Sequence, residues 1–255
     1  MGLLCDFHIH SNFSDGQHSL EELIEIYGRR KFDVIAITDH VADDQTFLGQ
    51  FAHRLNCSLK PNQYDEYFSE LRKMAKKAWE KYSLIVIPGF EITRNSFLQD
   101  RSSHFLVLGE VPPLDPRHDI IEALKHYRNQ GALTIAAHPL STGKFEFQTL
   151  QLWKNRDLYA PYFDAWEVNC GRKFYNEVLH SGLPIVASTD LHHERQIDCW
   201  KTSLDCVKDR GEIFQAIKEQ HLSVVEYSSQ KCPSQFAKIK SIFMPKLPNN
   251  SLRQA

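Results

Sequence analysis

The stretch that decides the fold is residues 3–10, Leu-Leu-Cys-Asp-Phe-His-Ile-His, an apolar run that stops on two histidines. Five later apolar runs also carry a histidine or an acidic residue at or near one end; they cover residues 33–40, 84–93, 104–110, 132–139 and 183–192. Packing alone does not explain why strands should repeatedly stop on side chains that bind metals. In a barrel of parallel strands these ends gather on one face, where enzymes of that architecture keep their chemistry.

The polar side chains at these ends are imidazoles and carboxylates, the types that bind divalent cations. The candidate metal ligands are His8, His10, Asp15, His40, Glu91, His104, His138, Asp190 and His192. Ligands of this kind, in this number, can hold more than one divalent ion. The pattern therefore predicts a hydrolase with a multinuclear metal site.

Strand and helix patterns alternate along the chain, which is typical of strands joined by helical crossovers. Helices are predicted near residues 19–27, 64–82, 115–130, 148–157, 172–181 and 211–220. We count about seven core strands. Because the ligands come from at least six strands, a closed barrel is favoured over an open sheet, whose outer strands would lie too far apart. The predicted fold class is α/β, a distorted (β/α)7 TIM-like barrel in a single domain.

Length and composition agree with this fold and exclude some classes of partner. A chain of 255 residues is typical of an α/β barrel. Its formal net charge of −2 argues against a broad basic face, so no long duplex nucleic acid is expected as a partner. The six cysteines include no C-x-x-C pair and predict reduced thiols, with Cys5 and Cys170 in the core. With no signal peptide or membrane-spanning stretch in sight, a cytoplasmic location without a membrane partner is expected.

One connection is unusually long. Residues 41–63 leave the metal-bearing end of the second strand, and loops of this length inside compact domains are usually functional. Two interpretations stay open: a loop that borders the site, or a surface insertion that covers the barrel rim. The barrel is predicted to occupy residues 1–228. Residues 229–255 form a C-terminal tail whose first part is expected to pack as a short amphipathic helix.

The pair His8-x-His10 is the centre of the sequence signal, because residues i and i+2 of a strand point to the same face. The motifs that accompany it are Asp6-Phe-His-Ile-His10, Ser14-Asp-Gly16, Thr38-Asp-His40, Pro88-Gly-Phe-Glu91, His104, His138-Pro139 and Thr189-Asp-Leu-His192. In this order and combination they resemble the PHP family, metal-dependent phosphoesterases named for polymerase and histidinol phosphatase domains. The resemblance runs from residue 6 to 192 and implies a distorted (β/α)7 barrel.

The resemblance also implies roles for the ligands. His8, His10, Glu91 and Asp190 resemble the ligands of a first metal; Glu91 would bridge to a second, completed by His104 and His138; Asp15, His40 and His192 resemble the ligands of a third. The implied cofactors are two or three divalent ions, zinc, manganese or iron. Glu91, Asp190 and His192 are expected to act in catalysis. Thr189 departs from the family, which often has serine there, and leaves the ligand intact.

Charge favours a phosphate substrate, because divalent ions would outweigh the three carboxylates and leave a cationic site. The expected mechanism is in-line attack on phosphorus by a hydroxide that bridges the first two metals, with the third metal on a phosphate oxygen. Arg94, Arg172 and Lys173 are candidate phosphate-binding residues. Glu167 and Asn169 share a strand face and are expected to form hydrogen bonds inside the barrel. Asp39 either orients a ligand histidine or caps a strand end.

The predicted function is metal-dependent hydrolysis of a phosphomonoester or of a short nucleotide or oligonucleotide. The expected partner is thus a small phosphorylated substrate. A histidinol-phosphate-type phosphatase stays open within the resemblance. So does a non-catalytic or proofreading module that associates with a polymerase. An amidohydrolase is a third class, but the chain shows no obvious strand-end lysine for carbamylation.

Overall fold

The computed structural model describes residues 2–98, 101–141, 149–231 and 238–240 of the chain. Strands are β1 (Leu3–Asp6), β2 (Val34–Ile37), β3 (His40–Ala42), β4 (Ile85–Arg94), β5 (Ser103–Leu108), β6 (Leu133–Ala136), β7 (Ala165–Glu167), β8 (Asn169–Cys170), β9 (Lys173–Phe174), β10 (Ile185–Val186), β11 (Trp200–Leu204), β12 (Leu222–Glu226) and β13 (Lys238–Lys240). Helices are α1 (Leu20–Arg29), α2 (Phe47–Arg54), α3 (Tyr64–Tyr82), α4 (Ile120–Asn129), α5 (Gln151–Lys154), α6 (Arg156–Tyr159), α7 (Asn176–Leu179) and α8 (Arg210–Glu219).

Seven of these strands surround the core in the order β10-β7-β6-β5-β4-β2-β1. The ring is nearly closed by a parallel bridge between Ile9 and Leu191, where the His10 amide donates to the Leu191 carbonyl at 2.9 Å. The strands β11, β12 and β13 extend the sheet beyond β1 in antiparallel fashion. The prediction of an α/β, distorted seven-stranded barrel is therefore confirmed.

The expectation of parallel strands is wrong for β5. This strand runs antiparallel to both of its neighbours, β4 and β6. Residues 95–102, which join β4 to β5, are too few for a helical crossover, and a short connection can only return the chain in the opposite direction. Because of this reversal, the beginning of β5, with His104, lies at the same rim as the carboxyl ends of β4 and β6.

Several helices follow the predicted signals closely, and others do not. The capping box at α1 is formed, with the Glu22 amide donating to Ser19 Oγ and the Ser19 amide donating to the Glu22 carboxylate. By contrast, α4 begins after Asp119, whose carboxylate caps it, and not after Asp115 as predicted. The helix expected near 148–157 is replaced by the single turns α5 and α6. The helix expected near 172–181 is reduced to the single turn α7, which follows the hairpin β8–β9.

The long connection at residues 41–63 is structured. It contains β3, which pairs with the end of β4, and the two-turn helix α2. An added Cβ at Gly49 would lie 1.4 Å from the Asp43 carbonyl oxygen, so α2 packs directly on backbone at this point. The predicted helix in the C-terminal tail is wrong where the structure describes it, because residues 238–240 are a strand. The rest of residues 232–255 lies outside the described residues.

The layer between the sheet and its helices is apolar. Fully buried aromatic rings such as Trp166, Tyr27 and Phe90 fill the space between the sheet and its helices. Cys5 is buried as expected, whereas Cys170 is only half-buried, contrary to its predicted place in the core. Cys5, Cys57, Cys199 and Cys206 are free thiols. None of the helices described is both long enough and apolar enough to cross a bilayer.

Tyr67 supplies a test of how α3 is attached to the barrel. Its buried hydroxyl donates to the Gly89 carbonyl at 2.9 Å, next to the strand segment that carries Glu91. We expect Tyr67→Phe to lower the free energy of unfolding by about 1–2 kcal/mol, because a buried carbonyl loses its donor. Urea titration measures this change. The control is Tyr64→Phe on the same helix, whose ring is half-buried; an equal loss in both variants would contradict the role of this hydrogen bond.

Candidate metal centre

All nine predicted ligands lie at one rim of the barrel, and their side chains meet there. His8 and His10 lie just after β1, Glu91 is on β4, and His104 is the second residue of β5. His138 follows β6, and Asp190 and His192 follow β10. The spatial convergence expected from the strand-end pattern is therefore present in the structure.

Glu91 is the centre of this cluster and is fully buried. Its Oε2 lies 2.7 Å from His40 Nδ1, 3.5 Å from His8 Nε2 and 3.6 Å from His10 Nε2. On the other side, its Oε1 lies 3.1 Å from His104 Nδ1 and 3.2 Å from His138 Nε2. One carboxylate thus faces two groups of imidazoles, the arrangement that a bridging ligand requires.

Asp190 closes the centre from the opposite wall. Its Oδ1 lies 3.4 Å from His8 Nε2, 3.3 Å from His10 Nε2 and 3.5 Å from His192 Nδ1. Asp190 and His138 both have positive backbone φ angles, +58° and +26°, in the left-handed region that non-glycine residues rarely adopt. Such conformations cost about 1–3 kcal/mol each and cluster at functional sites, where the surrounding contacts enforce them.

Asp15 joins a more exposed group at the mouth of the site. Its Oδ1 lies 3.2 Å from His192 Nε2 and 3.5 Å from His40 Nε2. The turn that presents Asp15 is tight: an added Cβ at Gly16 would lie 2.2 Å from the His10 carbonyl oxygen. Asp39 holds this turn, because its carboxylate accepts from the Ser11 amide and hydroxyl and from the Ser14 hydroxyl at 2.6–2.8 Å. Of the two roles considered for Asp39, the structure favours the cap.

Four buried polar atoms at the centre make no hydrogen bond within the described parts of the chain: His8 Nε2, His10 Nε2, Glu91 Oε2 and Asp190 Oδ1. Buried polar atoms without partners are rare and costly in proteins. Here they belong to four neighbouring residues, and the two imidazole Nε2 atoms lie 3.3–3.6 Å from the two carboxylate oxygens, close enough to share a cation. The residues present therefore fit a divalent ion, and they are the four that the family resemblance assigns to the first metal.

Geometry divides the ligands slightly differently from the resemblance. Three groups place their ligand atoms within 4.8 Å of one another: His8, His10 and Asp190; His8, Glu91 and His138; and His10, Asp15, His40 and His192. His104 belongs to none of these groups, although it contacts Glu91. Its Nε2 is 2.8 Å from Asn95 Oδ1, which turns Nδ1 toward the centre. The sequence analysis did not include Asn95 among the site residues. Its position directly after β4, at the ligand-bearing end of the strand, was the feature that could have indicated it.

Supporting hydrogen bonds fix the imidazoles. His8 Nδ1 donates to the buried Glu167 carboxylate at 3.1 Å, which leaves Nε2 for an ion. Glu167 also accepts from the His138 amide at 2.8 Å, so one carboxylate positions two ligands. Asn169 bonds to the backbone of Ser188, two residues before Asp190. The hydrogen bonds expected of Glu167 and Asn169 are thus observed.

Electrostatics keeps the carboxylates and His10 in the forms that bind cations, whereas nearby carboxylates outweigh burial and raise the pKa of His8, His40, His138 and His192. Burial alone would raise the pKa of Glu91, but the imidazoles of His40, His8 and His104 hold it well below its usual range. The Asp190 carboxyl also has a lowered pKa, because nearby imidazoles outweigh its burial. Burial and neighbouring imidazoles lower the pKa of His10 to about 3. Its ring is therefore neutral at pH 7 and keeps a lone pair for coordination.

The centre forms the floor of a cavity of about 940 Å³. Arg172, one of three predicted phosphate-binding residues, lines this cavity. Arg94 donates to the His118 carbonyl at 3.4 Å, and Lys173 lies over the Tyr175 ring; neither is among the described lining residues, and their role in phosphate binding stays a prediction. Arg195 also lines the cavity and was missed, because it follows the last motif in a region without a strand pattern.

Fold and site together define the class: a barrel whose rim carries candidate ligands for divalent metals. The family model of the PHP domain matches residues 6–179, and the chain belongs to this family. A comparison with curated proteins finds no match.

Several solved structures are similar to this chain. One is a two-domain protein from Bacteroides vulgatus that contains a PHP-like metal-dependent phosphoesterase. It has a TM-score of 0.62 and 22% identity, over 88% of this chain and 64% of that chain. The chain thus spans less than two thirds of that protein. A protein from Bifidobacterium adolescentis, described as a metal-dependent phosphoesterase, has a TM-score of 0.47 and 16% identity, over 74% and 88% of the two chains.

Glu167 provides a test of the centre that does not depend on turnover. We expect Glu167→Gln to weaken divalent metal binding about 10- to 100-fold, because His8 loses the carboxylate that orients it. Competition against a chelator measures the affinity. Asp164→Asn is the matched control. Asp164 lies just before β7, away from the ligands, and accepts a hydrogen bond from the Thr134 amide. Unchanged affinity in the Glu167 variant would show that this carboxylate does not support the centre.

Proposed function

We propose that this protein hydrolyses small phosphomonoesters or short nucleotides in the cavity above the metal centre. The observation that carries the proposal is a buried cluster in which the Nε2 atoms of His8 and His10 lie 3.3–3.6 Å from the Glu91 and Asp190 carboxylate oxygens. When divalent ions are bound there, they supply an activated water and positive charge toward the phosphoryl oxygens.

The chain offers ligands for up to three ions. His8, His10, Glu91 and Asp190 would hold the first; Glu91, His104 and His138 the second; and Asp15, His40 and His192 the third. Zinc, manganese or iron suits imidazole-rich ligation of this kind. Glu91 is proposed to set the spacing of the first two ions, since its two oxygens face different imidazole groups.

The remaining roles belong to groups around the cavity. Arg172 and Arg195 line it and are proposed to bind phosphate oxygens through their guanidinium groups. Asp190 and His192 lie beside each other, with 3.5 Å between Oδ1 and Nδ1, where they would hold the reacting groups in line. The described part of the chain thus pairs cationic side chains at the wall with metal ligands on the floor.

Two alternatives are less well supported. An amidohydrolase of the carbamylated type needs a lysine in the centre, but the fully buried Lys201 donates to the Ile197 carbonyl and approaches Asp6 instead. A non-catalytic module bound to a polymerase does not require a complete set of ligands, whereas all nine positions here carry competent side chains. Among the phosphatases, a histidinol-phosphate-type activity stays a second candidate.

Phosphate release from p-nitrophenyl phosphate tests the proposal directly. We expect activity with the metal-loaded protein, loss of activity after chelation, and recovery when Mn²⁺ or Zn²⁺ is added, because the ions supply the activated water. Colorimetric phosphate detection with a panel of phosphate esters extends the assay. Complete inactivity with every metal and every ester would contradict the proposal and favour a non-catalytic module.

Glu91→Gln tests the bridging role. We expect kcat/KM to fall at least about 1,000-fold, because several kcal/mol of charge stabilisation depend on correctly spaced ions. Circular dichroism shows whether the fold is kept. Glu110→Gln, which alters a surface carboxylate beside Arg72, is the control and should have wild-type kcat/KM. A fully active Glu91 variant would rule out the bridge.

A further inference from the structure

Exposed apolar side chains are concentrated beside the metal centre. Among the described residues, eight large apolar side chains are exposed: Phe47, Phe51, Leu55, Trp79, Phe97, Leu98, Leu158 and Val207. Four of them, Phe47, Phe51, Leu55 and Phe97, line the cavity above the metal ligands. Their exposed fractions, between 54% and 76%, show that these side chains do not serve to cover the core. Such clustering marks a binding surface more often than chance exposure.

The helix α2 presents three of these side chains as one wall. Phe47, Phe51 and Leu55 are spaced four residues apart, so they lie along one face from the start of α2 to its C-cap. We call this face, together with Phe97 from the loop after β4, the aromatic wall. Around the metal centre it is the one large apolar surface that the described residues leave open.

The aromatic wall is fixed to the metal centre by short connections. The Gly49 amide donates to Thr46 Oγ1 at the start of α2, and His53 Nε2 lies 3.1 Å from the Ala42 carbonyl oxygen. Ala42 ends β3, the strand that begins with the ligand His40. Because α2 is tied to this strand, the distance between wall and ligands is set by the fold.

The same cavity contains both the wall and the ligands. Its lining includes Asp15, His40, His104, His138, Asp190 and His192 as well as the aromatic side chains. Its volume of about 940 Å³ is at the upper end of the range of small-molecule sites, and a phosphate group would fill only a small part. Whatever phosphate ester binds at the centre must therefore place its alcohol portion along the wall.

We propose, resting on the proposed phosphoesterase function, that this alcohol portion carries a planar aromatic or heteroaromatic ring that packs against Phe47, Phe51 and Phe97. Three phenyl rings at one wall favour a flat, polarisable partner, because ring pairs gain attraction beyond the burial of area alone. Arg172 and Arg195, which line the same cavity, would receive anionic groups. The aromatic wall thus determines substrate class, while the metal centre performs hydrolysis.

Binding of two phosphonates to the metal-loaded protein tests the wall without requiring turnover. Isothermal titration compares 2-(2-naphthyl)ethylphosphonate with ethylphosphonate, which differ only in the ring system. We expect the naphthyl compound to bind at least about tenfold more tightly, the scale of one ring contact plus its buried area. Equal affinities would overturn the inference.

The matching phosphate monoesters are assayed in parallel. Both are esters of primary alcohols, so their leaving groups have nearly the same intrinsic reactivity, and the ratio of kcat/KM reports recognition of the ring. If neither ester is hydrolysed but the naphthyl phosphonate still binds more tightly than ethylphosphonate, the proposed function is wrong and ring binding by the aromatic wall is supported. If both esters are hydrolysed at equal kcat/KM and the two phosphonates bind equally, the wall fails and the proposed function stands.

Variants assign the effect to the wall. Phe51→Ala and Phe47→Ala should each lower the affinity ratio about five- to tenfold. Phe51→Leu keeps an apolar side chain without a ring and should also lower it; a wild-type ratio in this variant would overturn the aromatic class. Trp79→Ala, which removes an exposed ring on α3 away from the cavity, should keep the wild-type ratio. A lowered ratio there would show that the effect is not local, and thermal midpoints verify folding of each variant.

Discussion

The structure of this site depends on one buried negative charge, the carboxylate of Glu91 at the centre of five imidazoles. A carboxylate without partners would be neutralised by proton uptake at such a depth. Here the imidazoles keep its pKa low, and they come from four different segments of the chain. The barrel satisfies this requirement because strand after strand ends at the same rim. Its near closure at Ile9 and Leu191 brings the first and last ligand-bearing segments together.

Further layers of contacts hold the ligands in place. Glu167 reaches His8 and the backbone of His138, and Asp39 holds the turn that presents Asp15. Asp6 accepts hydrogen bonds from the Thr189 amide and hydroxyl, immediately before Asp190 in its left-handed conformation. These contacts explain why acids without a ligand role occur beside the ligands in the motifs. Orientation of the ligands therefore comes from short polar contacts, whereas the apolar core supplies their approximate position.

The surface proposed for substrate recognition is separated in space from the candidate metal ligands. The ligands lie on elements of the barrel, while the aromatic wall lies on α2 and on the loop after β4. Segments outside the barrel can change in length and composition without moving the ligand-bearing strand ends. This separation is the usual way in which barrel enzymes vary their substrates on one catalytic plan.

The sequence by itself determined the core strands and the candidate metal ligands at their ends, because apolar runs and i, i+2 spacing are local properties. The capping box of α1 and the long helix α3 were predictable for the same reason. The reversal of β5, the nearby Asn95 and the exposed aromatic face of α2 were decided only by the tertiary structure. A strand pattern has no direction, and a phenylalanine in a long connection has the same identity whether it fills a core or lines a cavity. Which of the two it does depends on contacts between residues far apart in the chain, and these exist only after folding.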